Sequence, residues 1–251
     1  MKRLYILYAL LLFYACSSDL DDNLRSVNVK MSFSHYWEDS TITNVDFNDL
    51  KFTNANGDVL SIERLRYLIS GIEFTKTNGE TIVLEGNNLV DVTNQTNLSF
   101  TPDQKIATGT YSNVSFIFGF KNEQNISSAY PDLNAASWNV PMQLGGGYHY
   151  MQFDGKFINN MEETQGYNYH AIRAVDNPGN PNFPQDTFFK VDLGEITIGT
   201  ATEINVAMHI EEWFQNPYTW DLNVYNQMLM PNSTAQILIH GNGQNVFSLK
   251  K

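Results

Sequence analysis

Apolar and polar residues alternate with a period of two along most of this chain, and that habit excludes helical bundles and α/β folds from the start. In Val27-Asn28-Val29-Lys30-Met31-Ser32-Phe33-Ser34-His35 every second side chain is apolar or aromatic until His35 takes that place. Successive residues of an extended chain point to opposite faces, so such a stretch reads as a half-buried strand. The pattern recurs at 50–53, 65–75, 81–85, 109–120, 148–153, 167–174, 188–193, 204–211, 236–240 and 245–249. Turn signals stand between these runs, among them Asn56-Gly57, Asn78-Gly79, Asp154-Gly155 and Asn242-Gly243. Many short strands at this spacing predict an all-β fold, a two-sheet antiparallel β-sandwich of Greek-key type with long loops and a few short helices. Helical turns are expected near 61–65, 132–138, 212–216 and Met228. Two loops, 122–144 and 176–186, are long for a minimal sandwich, and long ordered loops are where sites are built. With 42% hydrophobic and 13% aromatic residues, the chain has the material for one large core.

The first residues follow another rule. Met1-Lys2-Arg3 is a short positive head, 4–15 is an unbroken apolar run, and Cys16 follows Ala15. The run is too short to span a bilayer of roughly 30 Å and reads as a secretory signal. Cleavage before Cys16 leaves that cysteine as a lipidated N-terminus, resembling the lipobox of bacterial lipoproteins. The stretch 16–26, with Asp19, Asp21 and Asp22, then forms an acidic tether. The expected organisation is a lipoprotein signal peptide at 1–15, the tether at 16–26 and a β-sandwich domain at 27–251. The expected location is the outer membrane, on its periplasmic or cell-surface face, with the membrane as partner through Cys16.

Cys16 is the only cysteine, which removes internal disulfides, Cys-rich zinc sites, iron–sulfur clusters and thiolate copper centres. Fifteen Lys+Arg against 27 Asp+Glu give a formal charge of −12, unsuited to broad phosphate neutralisation, so no nucleic-acid partner is expected. No nucleophile elbow, metalloprotease helix motif or phosphate-binding loop is present, and no enzymatic role is predicted. Gly145-Gly146-Gly147 has no basic residue near it and reads as a tight bend. Histidine carries the remaining chemistry. Neutral imidazole is a common metal ligand, and His35, His149, His170 and His209 all fall in predicted strands. Strict alternation would put Met151 on the face of His149, pairing a thioether with an imidazole in a way that suits copper(I).

The segments MSFSHYW at 31–37, SIERLRYLISGIEFTKTNGETIVL at 61–84, WNVPMQLGGGYHYMQFDGKF at 138–157, YNYHAI at 167–172, INVAMHIEEWFQNP at 204–217 and NGQNVFSL at 242–249 together resemble the MbnP-like copper-binding domain. That family is related to periplasmic and surface copper proteins associated with methanobactin. The resemblance spans most of 27–249. It implies a β-sandwich and copper as the bound ion, with ligands carried over to His35 and His170 and, from a subgroup of exported lipoproteins, to His149. Relatives pair two histidines with an oxidised tryptophan. This chain has Gly-Gly-Gly-Tyr where some of them place tryptophans, leaving Trp37 or Trp138 as substitutes by proximity.

The leading expectation is therefore a lipid-anchored extracytoplasmic protein that captures or delivers copper through His35, His170 and His149, with Met151 or an aromatic nearby. His209 belongs to the more polar face of its strand and is the weaker candidate. The alternative is a surface lipoprotein that binds carbohydrate or a protein partner through exposed tyrosines and tryptophans, which requires those rings to lie outside the sandwich.

Overall fold

A computed structural model describes residues 25–250, so the export signal, Cys16 and most of the acidic tether lie outside the described residues. The strands of the first half are β1 (Ser26–Val27), β2 (Lys30–Trp37), β3 (Ser40–Ile42), β4 (Phe52–Thr53), β5 (Val59–Leu60), β6 (Arg64–Lys76), β7 (Thr81–Asp91), β8 (Ser99–Phe100), β9 (Ile106–Ala107) and β10 (Gly109–Phe118). There follow α1 (Pro131–Ala135), β11 (Met151–Ile158), β12 (Thr164–Ala171), β13 (Phe189–Ile198), β14 (Glu203–His209), α2 (Ser233–Gly243) and β15 (Phe247–Leu249). Among the described residues no helix is long and apolar enough to cross a membrane.

Two sheets face each other. The larger holds β4, β5, β6, β7, β10, β11, β12 and β13; the smaller holds β2, β3, β8, β14 and β15; β1 and β9 pair separately. Every ladder is antiparallel except β2 with β14, which run parallel and set His35 beside Met208. The expected antiparallel sandwich thus carries one parallel seam, where a strand from each end of the chain meets.

β6 organises the large sheet. One edge pairs with β7, and the other pairs first with β11 and then with β10. Its inward residues Leu65, Tyr67, Ile69, Ile72 and Phe74 join the inter-sheet core, where Phe33, Trp37, Met151, Phe153, Tyr169 and Phe214 also lie. Its outward residue Leu68 packs instead with Phe120, Leu133, Trp138 and Tyr148 from the segment after β10. That segment, which contains α1, covers the outer face of β6 and β11. It is the long loop anticipated at 122–144, and it roofs the site described next.

The alternation fails at 236–240. These residues form part of α2, whose N-cap Asn232 accepts a hydrogen bond from the Ala235 amide. A short apolar run cannot be assigned by periodicity alone, and here the cap and the helix's packing decide. The anticipated turns near 61–65 and Met228 are not helical, whereas 132–138 holds α1 and 212–216 overlaps a 3₁₀ helix at Ile210–Phe214.

Candidate metal site

On the outer face of the large sheet, Arg66, Gln152 and His170 form one rung across β6, β11 and β12, and Arg64, Asp154 and Asn168 form the next. The Asp154 carboxylate gathers the second rung. It accepts from the Asn168 amide at 2.6 Å, from Arg64 Nε, and from His170 Nε2 at 2.7 Å. Burial alone would raise this carboxyl, but the hydrogen bonds from His170, Arg64 and Asn168 outweigh it and hold it at about 2. A carboxylate can only accept, so His170 Nε2 carries a proton, and in the neutral imidazole Nδ1 holds the lone pair.

His149 reaches the same place from the roof. The segment 138–149 folds back on itself: Asn139 bridges Tyr148, the Val140 amide donates to the Gly147 carbonyl, and the His149 amide donates to the Trp138 carbonyl at 3.0 Å. The return is made by Gly145, Gly146 and Gly147, all at positive φ, as expected of a tight bend. At Gly147 a Cβ would stand 2.5 Å from Asn125 Oδ1, so this position needs glycine for space as well as for backbone. The bend brings Trp138 and His149 side by side, with ring centroids 5.6 Å apart.

The His149 ring is fixed by its surroundings. Nδ1 donates to the Trp138 carbonyl at 2.9 Å, which assigns the tautomer and leaves Nε2 unprotonated. That Nε2 is buried and has no hydrogen-bond partner in the protein. Burial pushes the imidazole down to about 4 and outweighs the upward pull of the Trp138 carbonyl. The His170 ring lies edge-on at 5.5 Å between centroids, within reach of an ion bonded at about 2.0–2.1 Å to one nitrogen of each. Trp138 Nε1 and Arg66 Nε are also buried without partners, and the Arg66 guanidinium lies over the Trp138 ring.

The other predicted residues stand elsewhere. His35 lies inside the sandwich, its Nε2 3.1 Å from the Tyr67 hydroxyl. Tyr67 and Arg66 are neighbours on β6 with opposite directions, so the large sheet separates His35 from His170. His209 bonds Ser248 Oγ at 3.0 Å and stacks on Tyr36. Met151 is core; its cross-strand neighbours are Tyr67 and Ala171, not His170. The expected pairing of His149 with Met151 fails because β11 begins only at Met151, and the chain before it is shaped by the glycine bend rather than by strand parity. The expected meeting of His35, His170 and His149 is therefore reduced to His149 and His170, and the weaker candidate His209 stands apart from both. Among the described residues no three His, Cys, Asp or Glu side chains are placed to hold an ion. The structure adds Asp154 and Arg66, which neither spacing nor motif singles out as ligands or orienting groups, Asp154 reading in the sequence only as half of a turn; of the two tryptophans named as substitutes, Trp138 stands beside His149 and Trp37 lies in the inter-sheet core.

The aromatic surplus is spent inside. Trp37, Trp138, Tyr148, Tyr150, Tyr167, Tyr169, Trp213 and Trp220 are all buried, Tyr36 is half-buried, and Tyr218 is 44% exposed. A stacking platform of those rings is not found.

Comparison with known proteins agrees with this architecture. The family model described as MbnP matches residues 26–232. The solved structure of MbnP from Methylosinus trichosporium is similar to the chain with a TM-score of 0.51 and 12% identity, over 80% of each chain. At that identity the likeness speaks for the fold. No curated protein matches the sequence.

Proposed function

The chain belongs to the MbnP family, and on that premise we propose that it is an exported, non-enzymatic copper-binding protein that captures or delivers the ion through His149 and His170. The observation that carries the reading is the His149 Nε2 atom, a buried lone pair with its tautomer fixed by the Trp138 carbonyl and no partner of its own. Burying such a group unpaired costs roughly 1–3 kcal/mol, and a ligand is what recovers it. His170 faces it with the complementary arrangement, Nε2 donating to Asp154 and Nδ1 free to donate electron density, the carboxylate–histidine pattern that orients imidazole ligands in metal sites. The imidazole at about 4 already lacks the proton that a metal must displace from ordinary histidine near pH 6.5. Anchorage through lipidated Cys16 at the outer membrane, on the periplasmic or surface face, completes the proposal and rests on the N-terminal sequence.

Copper titration followed by elemental analysis tests it. The protein is expected to retain a stoichiometric equivalent of copper at micromolar concentration, His149→Ala and His170→Ala to lose it, and His35→Gln to keep it. No uptake, or uptake indifferent to both of the first two substitutions, overturns the reading. Replacement of Cys16 by Ala is expected to abolish lipid labelling in cells, and retention of the label would refute the anchor.

A further inference from the structure

Beside His170 the roof leaves a cleft of about 490 Å³, lined by Pro141, Asn168, His170, Met228, Leu229 and Met230 among others. We infer that Met228 and Met230 make this cleft a thioether capture site for copper(I), from which the ion passes to the His149–His170 pair. The inference rests on the copper reading of that pair.

Three observations carry it. Met228 is 77% exposed and sits at φ +56, a left-handed backbone that a non-glycine residue adopts at some cost, so an apolar side chain is held out at the rim of the cleft. Most methionines fill core, and this one does not. Met230, half-buried, packs against the cluster of Val140, Leu144, Ile172 and Val175 while lining the same cleft. The methionine segment is also tied to the histidine strand. Gln236 on α2 is fully buried; its amide nitrogen donates to the His170 carbonyl at 2.8 Å and to the Leu229 carbonyl at 3.0 Å, and its oxygen accepts from the Ile172 amide. One side chain thereby ties the backbone between the two methionines to the backbone of His170.

The lining selects by chemistry. It contains no carboxylate and no cationic side chain, so hard divalent ions find no anionic oxygen ligands there. Two soft thioethers and an imidazole favour copper(I) and its analogue silver(I). His170 belongs to both the cleft and the buried pair, which makes it the point of transfer.

Methyl-labelled methionine in the intact protein, titrated with silver(I), tests the cleft directly. The Met228 and Met230 methyl resonances, assigned with Met228→Leu and Met230→Leu, are expected to shift, while those of buried Met151 and Met208 stay. They are expected to shift also in His149→Ala, where the buried pair is broken. The double variant Met228→Leu/Met230→Leu, close in volume, is expected to load copper(I) roughly tenfold more slowly with final occupancy unchanged, and to load copper(II) at the normal rate. Methyl resonances that do not move in either protein overturn the inference, even if the histidine pair binds copper. Shifted methyls in a protein whose histidine substitutions leave copper uptake unchanged would support the cleft and refute the pair. Equal copper(I) loading rates in the wild type and the double variant would refute the cleft as the entry route.

Discussion

Two buried histidines, both pushed below the ordinary imidazole range, differ in what their nitrogens face. His149 Nδ1 is committed to a carbonyl and its Nε2 to nothing, whereas His35 Nε2 meets the Tyr67 hydroxyl inside the core. Burial lowers His35 to about 3. Because the folded value lies below the unfolded one near 6.5, the unfolded chain binds more protons between those limits. Stability is then complete above pH 6.5 and is lost as the pH falls toward 3. Between pH 7 and 4.5 this one group should remove about 2–3 kcal/mol, and His35→Leu should lose that much less over the same interval in denaturant titrations. An unchanged pH dependence would show that His35 protonates without unfolding the core. Asp154 acts in the same direction but lower on the pH scale: held at about 2, it contributes stability that is complete above pH 4 and is lost only below it, so it leaves the interval from pH 7 to 4.5 to His35. Its replacement, Asp154→Asn, removes the carboxylate that fixes the His170 tautomer. Copper affinity by competition with a chelator is expected to fall about 10–100-fold, with the fold intact by circular dichroism. Undiminished affinity would mean that His170 needs no orienting partner.

At the scale of the element, the glycine bend sets where His149 stands. Gly147→Ala adds a Cβ 2.5 Å from Asn125 Oδ1 at φ +75. It should cost about 1–3 kcal/mol in thermal or denaturant unfolding and weaken copper binding, since the Tyr148 amide, which donates to the same Asn125 oxygen, follows directly. Wild-type stability and affinity in this variant would show that the bend does not set the site. The bend itself was legible: three glycines with no basic neighbour admit little else. The long strands were legible too: β2 keeps a period of two throughout, and β6, β10 and β14 keep it over the parts of their length that bury a single face, while 67–70, 114–118 and 206–208 are buried on both. What the pattern cannot carry is parity across a segment outside any strand, which is why alternation pairs His149 with Met151 although its ring lies against that of His170. Nor could it separate a buried helix from a buried strand at 236–240, where Ile237, Leu238 and Ile239 run together. The polar residue that opens this run, Gln236, is buried more fully than Ile237 and Leu238 after it, and its role depends on carbonyls at His170 and Leu229 that no local pattern reveals. Asp154, at a turn signal in the sequence, proves to be within β11, where its partners come from β6 and β12.

For the whole molecule, the matched family region stops at residue 232, but the sandwich does not. β15 pairs with β14, and Phe247 packs against Tyr67, Phe116 and Phe118 from the opposite sheet. Val246, Ile239 and Ala235 are buried, and Asn242, fully buried, donates to the Trp213 and Tyr218 carbonyls. Each large apolar side chain contributes about 1.5–3 kcal/mol through burial, and each severed buried hydrogen-bonding group costs about 1–3 kcal/mol. Losing Phe247, Val246 and Ile239 together with the Gln236 and Asn242 clamps therefore removes an amount comparable with the 5–15 kcal/mol by which an ordinary domain is stable. A chain ending at residue 232 is accordingly expected to lose cooperative thermal unfolding and to expose the edge of β14, with association as the visible consequence. Circular dichroism melts and size-exclusion chromatography of the truncated and full chains check this. A truncated protein that melts cooperatively within a few degrees of the full chain would mean that the two sheets hold without their C-terminal strand. Restoring 233–251 as a separate peptide should return cooperativity if the loss arises from the missing contacts, because those contacts are made across the sandwich and do not depend on chain continuity.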